Sequence, residues 1–302
     1  MQNKKKELLN KEYLSIRKDC AIIIACSRDY YHRLIALLVS IKKVFVNHPK
    51  IIIFDLGLGN FQKKELEGIE NVCVKNIPKF VSHWNLCFTW KFYTMLNASE
   101  NIILYLDAGN IALKNFQNLF LSIKKNDYFL ASQDGLYKDI TPIEYINLVS
   151  LDKSMFLESQ IFAGGIIGFK KNTKFYDAII KSYKLACEGY TLGYSSQETH
   201  RIKNDKENII RNCFLFRHDM TILGLCVYEV LSSKVLVRNG HKYCGWTRGV
   251  IKKNQIFYNH RNDISFIKYN LIFNISTNWI SYLINRSIFI LKYLKIFFKT
   301  LK

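Results

Sequence analysis

Proline is nearly absent from this chain, with 3 residues in 302, and glycine is sparse at 14. A sandwich of many short strands needs turn residues every few positions, so this scarcity argues against a many-turned β fold. Acidic side chains are also few: 24 against 44 lysines and arginines, a formal net charge of +20. Such an excess calls for an acidic partner, whether a nucleic acid, an anionic membrane or a phosphorylated substrate. No apolar stretch reaches the ~18 residues that a transmembrane helix requires. The opening segment, MQNKKKELLNKEYLSIRKD, is charged throughout and lacks the apolar core of a signal peptide. The 8 cysteines form no CxxC pair and have no companion histidine spacing, so the expected setting is reducing and cytoplasmic, with no zinc site. The glycine-rich dinucleotide fingerprint and the P-loop pattern are missing as well.

What the chain does have is apolar material, 49% of residues against 23% charged, enough for a sizeable core. Short apolar runs (Cys20 to Ser27, Lys50 to Leu58, Asn71 to Ile77) alternate with stretches of helical spacing (Tyr31 to Phe45, Phe61 to Ile69). That alternation predicts βαβ units, an α/β fold and a mainly parallel sheet flanked by helices. The most informative stretch is NIILYLDAGNIAL, Asn101 to Leu113. Ile102 to Leu106 reads as a strand buried on both faces, and Asp107 stands at its C-terminal tip, where open α/β sheets bind ligands. Read blandly, the same residues are a strand-capping Asp and a turn glycine, with Ile111 to Leu113 as a further apolar turn.

Around that stretch lie other candidates. Leu86 to Leu96 reads as a buried helix carrying Lys91, a lysine that either snorkels to the surface or serves an anion. Helices are expected near Phe116 to Ile123 and from Pro142 to Leu151, and strands at Asp127 to Gly135 and Ser159 to Asn172. Within the last, Gly164 and Gly165 mark close approach by a ligand or another backbone. Phe175 to Glu188 reads as an amphipathic helix, and Gly189 to Asn208 as a polar loop. Arg217, His218 and Asp219 head a helix running to Leu231, with Asp219 either an N-cap or a functional acid. From Gly249 onward the charge becomes one-sided. Lys292, Lys295, Lys299 and Lys302 share one helical face among aromatic and aliphatic residues, the pattern of a helix lying in an anionic membrane interface.

Five blocks in consistent order resemble the GT-A glycosyltransferases, nearest the bacterial glycosyltransferase 8 type and related DUF1647-like chains. They are FDLGL (Phe54 to Leu58), TWK (Thr89 to Lys91), LYLDAGN (Leu104 to Asn110), SQIFAGGIIGFKKN (Ser159 to Asn172) and RHDMTIL (Arg217 to Leu223). The resemblance spans roughly Cys20 to Arg261. It implies a GT-A domain over 20–262, preceded by a basic lead-in at 1–19 and followed by a basic, aromatic, helical segment at 263–302 for membrane-surface attachment. It further implies transfer of a sugar from a nucleotide-sugar donor, UDP-linked by preference, to an acceptor hydroxyl, with retention weakly favoured. The basic aromatic C-terminal segment suits a lipid-linked or surface glycan acceptor of the lipooligosaccharide or capsule type. By the match, Ser27 and Asp55 lie near the donor's base and ribose, and Lys91 helps hold phosphate or sugar. Asp107 takes the first acidic position of the DxD motif, with Gly109 and Asn110 beside it. Gly164 and Gly165 admit the donor sugar and Asp219 sits near the reacting carbon. A divalent cation, Mn2+ or Mg2+, would be held by Asp107 with His241 or His260. Apart from the match, Asp134, at the end of its strand, and Asp219 are the acids to test for a role at the acceptor side.

Two departures bear on that cation. Gly109 stands where the second DxD acid belongs, and Met220 replaces the glutamine expected after Asp219. Metal binding is then weakened, helped by Asn110 or a histidine, or replaced by cationic side chains such as Lys91, Arg201, Lys242 and Arg248. The expected partners are a nucleotide-sugar donor, a glycan or glycolipid acceptor and an anionic membrane surface, on the cytoplasmic face of the plasma membrane. Nucleic acid is not expected, because the basic excess is terminal and no RNA- or DNA-binding motif is present. A catalytically silent partner subunit of the same fold is the other reading.

Overall fold

The computed structural model describes residues 2–193, 216–245 and 255–259. Helix α1 (Gln2–Ile16) leads into strand β1 (Cys20–Cys26), then α2 (Tyr31–Val44), β2 (Lys50–Asp55), α3 (Asn60–Glu67) and β3 (Val72–Asn76). Helix α4 (Thr89–Leu96) precedes the central strand β4 (Ile102–Leu106), and a short β5 (Asn110–Ala112) follows. The chain continues through α5 (Gln117–Asn126), β6 (Tyr128–Leu136), α6 (Tyr137–Ile140), α7 (Lys153–Leu157), β7 (Gln160–Lys170) and α8 (Lys174–Cys187). Helix α9 (His218–Leu231), β8 (Val237–Arg238), β9 (Cys244–Gly245) and β10 (Phe257–Asn259) complete the described elements.

Seven strands form the main sheet in the order β3-β2-β1-β4-β7-β6-β8. All run the same way except β7, which is antiparallel to both β4 and β6. The fold is thus α/β with a mainly parallel sheet, as the alternating pattern predicts. Strand order reverses between β1 and β4: β2 and β3 extend to one side of β1 and β4 to the other. The crevice beyond the C-terminal ends of these two strands is where such sheets take ligands.

Alternation along the buried strands divides the core into two layers. Ile22, Ile24, Leu104 and Leu106 face Tyr13, Leu34, Leu37, Phe45, Phe116 and Phe120, from α1, α2 and α5 and their flanks. Ala21, Ile23, Ile103 and Tyr105 face Phe92, Phe175, Ile222 and Leu225, from α4, α8 and α9. Asp107 is one further step along the Ile103–Tyr105 face, so it emerges on the side of α4 and α9. That parity decides which side chains it meets.

Several elements differ from the sequence expectation. The lead-in is a full helix that sends Tyr13 and Ile16 into the core: Tyr13 is buried and its hydroxyl donates to the Asn47 carbonyl at 2.9 Å. The helix expected from Leu86 begins only at Thr89, because Cys87 and Phe88 take left-handed backbone conformations with φ of 47° and 63°. Ile111 belongs not to a turn but to β5, which pairs with β10 in a second, three-stranded sheet. The helix expected over Pro142 to Leu151 is a 3-10 segment, Ile143–Leu148, with α7 separate from it. No helix among the described residues is long and apolar enough to cross a membrane. The basic segment 263–302, and with it the proposed interfacial helix, lies outside the described residues.

Candidate active site

Three charged side chains meet at the tip of β4, two from consecutive elements and one from far along the chain. Lys91, on α4, is 3% exposed; its Nζ lies 2.5 Å from Asp219 Oδ2 and 3.7 Å from Asp107 Oδ1. It also donates to the Gly164 carbonyl at 3.2 Å. Two rings enclose the ammonium, Tyr105 at 5.0 Å and Phe88 at 5.2 Å to their centroids, close enough for attraction to the π faces. Lys91 therefore does not snorkel: it is buried against two of the protein's own carboxylates. Burial alone would lower its pKa, but Asp107 and Asp219 outweigh burial and hold it above the ordinary lysine value.

Asp219 sits in the first turn of α9 and is 7% exposed, whereas Asp107 is 38% exposed. Asp107 is thus the member of the cluster open to a ligand. Its Oδ1 accepts from the Tyr105 hydroxyl at 2.6 Å. Burial, then the nearby Asp107 charge, pushes the Tyr105 pKa well above its usual value, so the hydroxyl stays a donor. Sequence reasoning missed Tyr105 as a site residue. The signal was available, since positions two apart on a strand share a face.

Asn110 fixes the turn that presents Asp107. The side chain is fully buried, and its amide donates to the carbonyls of Asp107 at 3.1 Å and Gly165 at 2.9 Å. The backbone N–H of Asp107 donates to that same Gly165 carbonyl, at 3.0 Å. Asn110 is committed to positioning. The paired glycines explain themselves from above: a Cβ on Gly165 would lie 2.9 Å from Asp107 Oδ2, and one on Gly164 would lie 2.9 Å from Met220 Cγ and 3.3 Å from Asp219 Oδ2. What approaches the β7 backbone so closely is the pair of acid-bearing turns. Both helices that deliver the cluster start at left-handed non-glycine residues, Phe88 before α4 and His218 (φ 42°) at the head of α9, and their rings lie 6.0 Å apart. Each such residue costs about 1–3 kcal/mol, a strain typical of functional sites.

Ser27 and Asp55 lie at neighbouring strand ends, since Cys26 is the register partner of Asp55. The Asp55 carboxylate is already engaged. Its Oδ1 accepts from the backbone of Gly57 at 2.7 Å and Leu58 at 2.6 Å, and its Oδ2 pairs with Lys63. Burial would raise the Asp55 pKa, but the hydrogen bonds from Lys63, Leu58 and Gly57 pull it below the ordinary carboxylate value. A depressed carboxylate stabilises the fold above its unfolded pKa of about 3.9 and ceases to do so as pH falls through the folded value. Asp55→Ala is expected to cost about 2 kcal/mol at pH 7, by orphaning two N–H groups and an ammonium. Urea melts at pH 7 and pH 3 check this, with the gap between wild type and variant narrowing at the lower pH.

Asp134 and His241 come together at the surface. His241 Nε2 lies 3.0 Å from Asp134 Oδ1, and both side chains are exposed. The turn carrying His241 is clamped to β6: Gly240 N donates to Ser132 Oγ at 3.0 Å, and a Cβ there would lie 1.7 Å from the Ser132 carbonyl oxygen. His260, Arg201 and Arg248 lie outside the described residues, while Lys242 is exposed in the same turn as His241.

Among the described residues, the donor set at Asp107 does not suit a divalent ion. Among the described residues no three His, Cys, Asp or Glu side chains gather as metal ligands do. Mn2+ and Mg2+ want several hard oxygen ligands, yet Asp107 Oδ1 is shared by a hydroxyl and an ammonium. Asp219 Oδ2 is bound to the same ammonium, the buried Asn110 Oδ1 accepts from Asn259 Nδ2 at 3.4 Å and Gly109 offers no side chain. His241 is paired with Asp134.

No protein-family model matches this chain, and no curated protein matches it. Solved structures do resemble it. The glycosyltransferase GlyE of Streptococcus pneumoniae TIGR4 is 12% identical, with a TM-score of 0.41 over 73% of this chain and 45% of its own. The chain thus spans less than half the length of GlyE. An active-site mutant of LgtC is 11% identical, with a TM-score of 0.49 over 85% of this chain and 97% of its own.

Proposed function

We propose that this chain is a glycosyltransferase of the GT-A type, transferring a sugar from a nucleotide-sugar donor to an acceptor hydroxyl. The observation that supports this most is the meeting of Asp107, Lys91 and Asp219 beside the crevice where strand order reverses, with Asp107 alone open to solvent. The five ordered sequence blocks supply those same residues. In the reaction the bond from the anomeric carbon to the diphosphate oxygen breaks, and the nucleoside diphosphate leaves with the electron pair. A bond to the acceptor oxygen forms, and the acceptor proton passes to a base.

Asp219, paired with Lys91, stands near the reacting carbon and stabilises its developing positive charge. Ser27 and the turn after β2 flank the base and ribose. Asp134, with His241 hydrogen-bonded to it, serves the acceptor side, where a base is needed if configuration inverts; retention remains the weakly favoured outcome. The donor is read as a UDP-sugar and the acceptor as a lipid-linked or surface glycan of the lipooligosaccharide or capsule type. The basic aromatic segment 263–302 suits attachment to the anionic inner face of the plasma membrane.

The consumption of two carboxylates by one lysine, together with Gly109, favours one other reading, a silent subunit that keeps the fold without turnover. Incubation with UDP-, GDP- and CMP-sugars, assayed by nucleoside diphosphate release, separates the two. Release from one donor, lost in Asp219→Asn, supports the enzyme. Binding without release from any donor or acceptor extract supports the silent subunit.

A further inference from the structure

We propose that Lys91 is the resident cation of this site, its ammonium holding the place between Asp107 and Asp219 that a divalent ion would otherwise take, so that ligand binding here needs no metal. The role given to the site rests on the glycosyl-transfer reading, but the exclusion of the ion does not, and it is measured with the metal alone.

Two carboxylates brought together at a strand tip and a helix head require a positive charge between them. In this chain that charge is covalently attached. Lys91 reaches both acids, donates to the Gly164 carbonyl and is closed in by the Tyr105 and Phe88 rings. It cannot swing away without leaving Asp219, almost fully buried, with a bare charge. A doubly charged ion at Asp107 would have to sit beside this ammonium, and repulsion between like charges across so short a distance opposes it. Gly109 fits the same scheme. A second acid at that position serves to complete a metal's ligand set, and with the cation built into α4 it has nothing to complete.

The expectation is therefore specific: removing the ammonium should create a metal site where the wild type has none. Mn2+ binding can be followed by loss of the free-ion EPR signal, without any donor, on wild type, Asp107→Asn, Lys91→Gln and the double variant Lys91→Gln/Asp107→Asn. Wild type and Asp107→Asn should bind equally weakly. Lys91→Gln should bind at least about tenfold more tightly, a gain of roughly 1.4 kcal/mol, and the double variant should lose that gain. Mn2+ binding by wild type that Asp107→Asn abolishes would overturn the proposal, and so would a folded Lys91→Gln that binds no better than wild type. Should Lys91→Gln fail the circular dichroism check for folding, the comparison of wild type with Asp107→Asn decides alone: no difference supports the resident lysine, and loss of binding in the variant refutes it.

Discussion

Replacing Lys91 by methionine should lower the melting temperature by about 10 °C, the largest stability loss expected from one substitution at this site. Methionine matches the lysine stem in length and apolar character, so packing is largely kept and the measurement isolates the charge. What is lost is the 2.5 Å contact to Asp219 Oδ2, on a carboxylate almost completely withdrawn from water. Breaking one side of a buried ion pair costs about 3–5 kcal/mol, because the remaining charge is left without compensation. Asp219→Asn in the Lys91→Met background should restore much of the loss, giving a coupling energy of about 2 kcal/mol in the double-mutant cycle. The pH dependence follows from the raised Lys91 pKa. A raised lysine stabilises fully below its unfolded pKa of about 10.4 and loses that contribution as pH rises through the folded value. The gap between wild type and Lys91→Met should accordingly stay constant from pH 7 to 9 and close only in strong alkali. A gap under about 1 kcal/mol at pH 7 would mean that Asp219 is satisfied by water, as exposed pairs are.

Asp219→Asn alone should leave a folded protein whose turnover falls by about a thousandfold, with little change in the donor KM. The amide keeps the shape and one acceptor oxygen but removes the negative charge that the proposed mechanism places beside the anomeric carbon. Lys91 then turns to Asp107, already 3.7 Å away, so a partner for the ammonium is retained. Asp134→Asn acts at the acceptor end and should raise the acceptor KM while changing kcat far less. Steady-state kinetics with each substrate varied in turn distinguish the two. Turnover within tenfold of wild type in Asp219→Asn would reduce Asp219 to a structural counter-ion for Lys91.

The framework of this chain was legible because burial on both faces leaves so plain a mark. CAIIIAC, KIIIFD and IILYL are continuous apolar runs, and each is a strand of the main sheet with the neighbours its pattern implies. Asp107 could be placed at a strand tip for the same reason, and Lys91 stood out as a charge in an apolar helix. What the sequence did not disclose is that Lys91 and Asp219, 128 positions apart, touch. Nothing local encodes that contact. It follows from which face of β4 receives α4 and α9, a choice made by the whole core. The left-handed conformations of Cys87, Phe88 and His218 were equally hidden, because tertiary packing imposes them on residues with no intrinsic preference for them. Asn110 read as a spare metal ligand beside an acid, yet its buried amide nitrogen spans two carbonyls and its oxygen accepts from Asn259. Its neighbours in space, Gly165 and Asn259, are far off in sequence. Over Pro142 to Leu151 apolar spacing favoured a helix, but the chain there forms only short 3-10 turns before α7.

The central claim is that a nucleotide sugar binds at Asp107, beside a lysine that replaces the metal. Thermal melts of wild type and Asp107→Ala, with UDP-, GDP- and CMP-sugars in turn, each in EDTA and again in Mn2+, test it most directly. Ligand bound only to the native state raises the melting temperature with the logarithm of its concentration over Kd, by about 5 °C near a hundredfold excess. The account predicts that one donor class gives such a rise, equal in EDTA and Mn2+, and that Asp107→Ala abolishes it while remaining folded. No rise from any donor, or a rise that Asp107→Ala leaves intact, would contradict it.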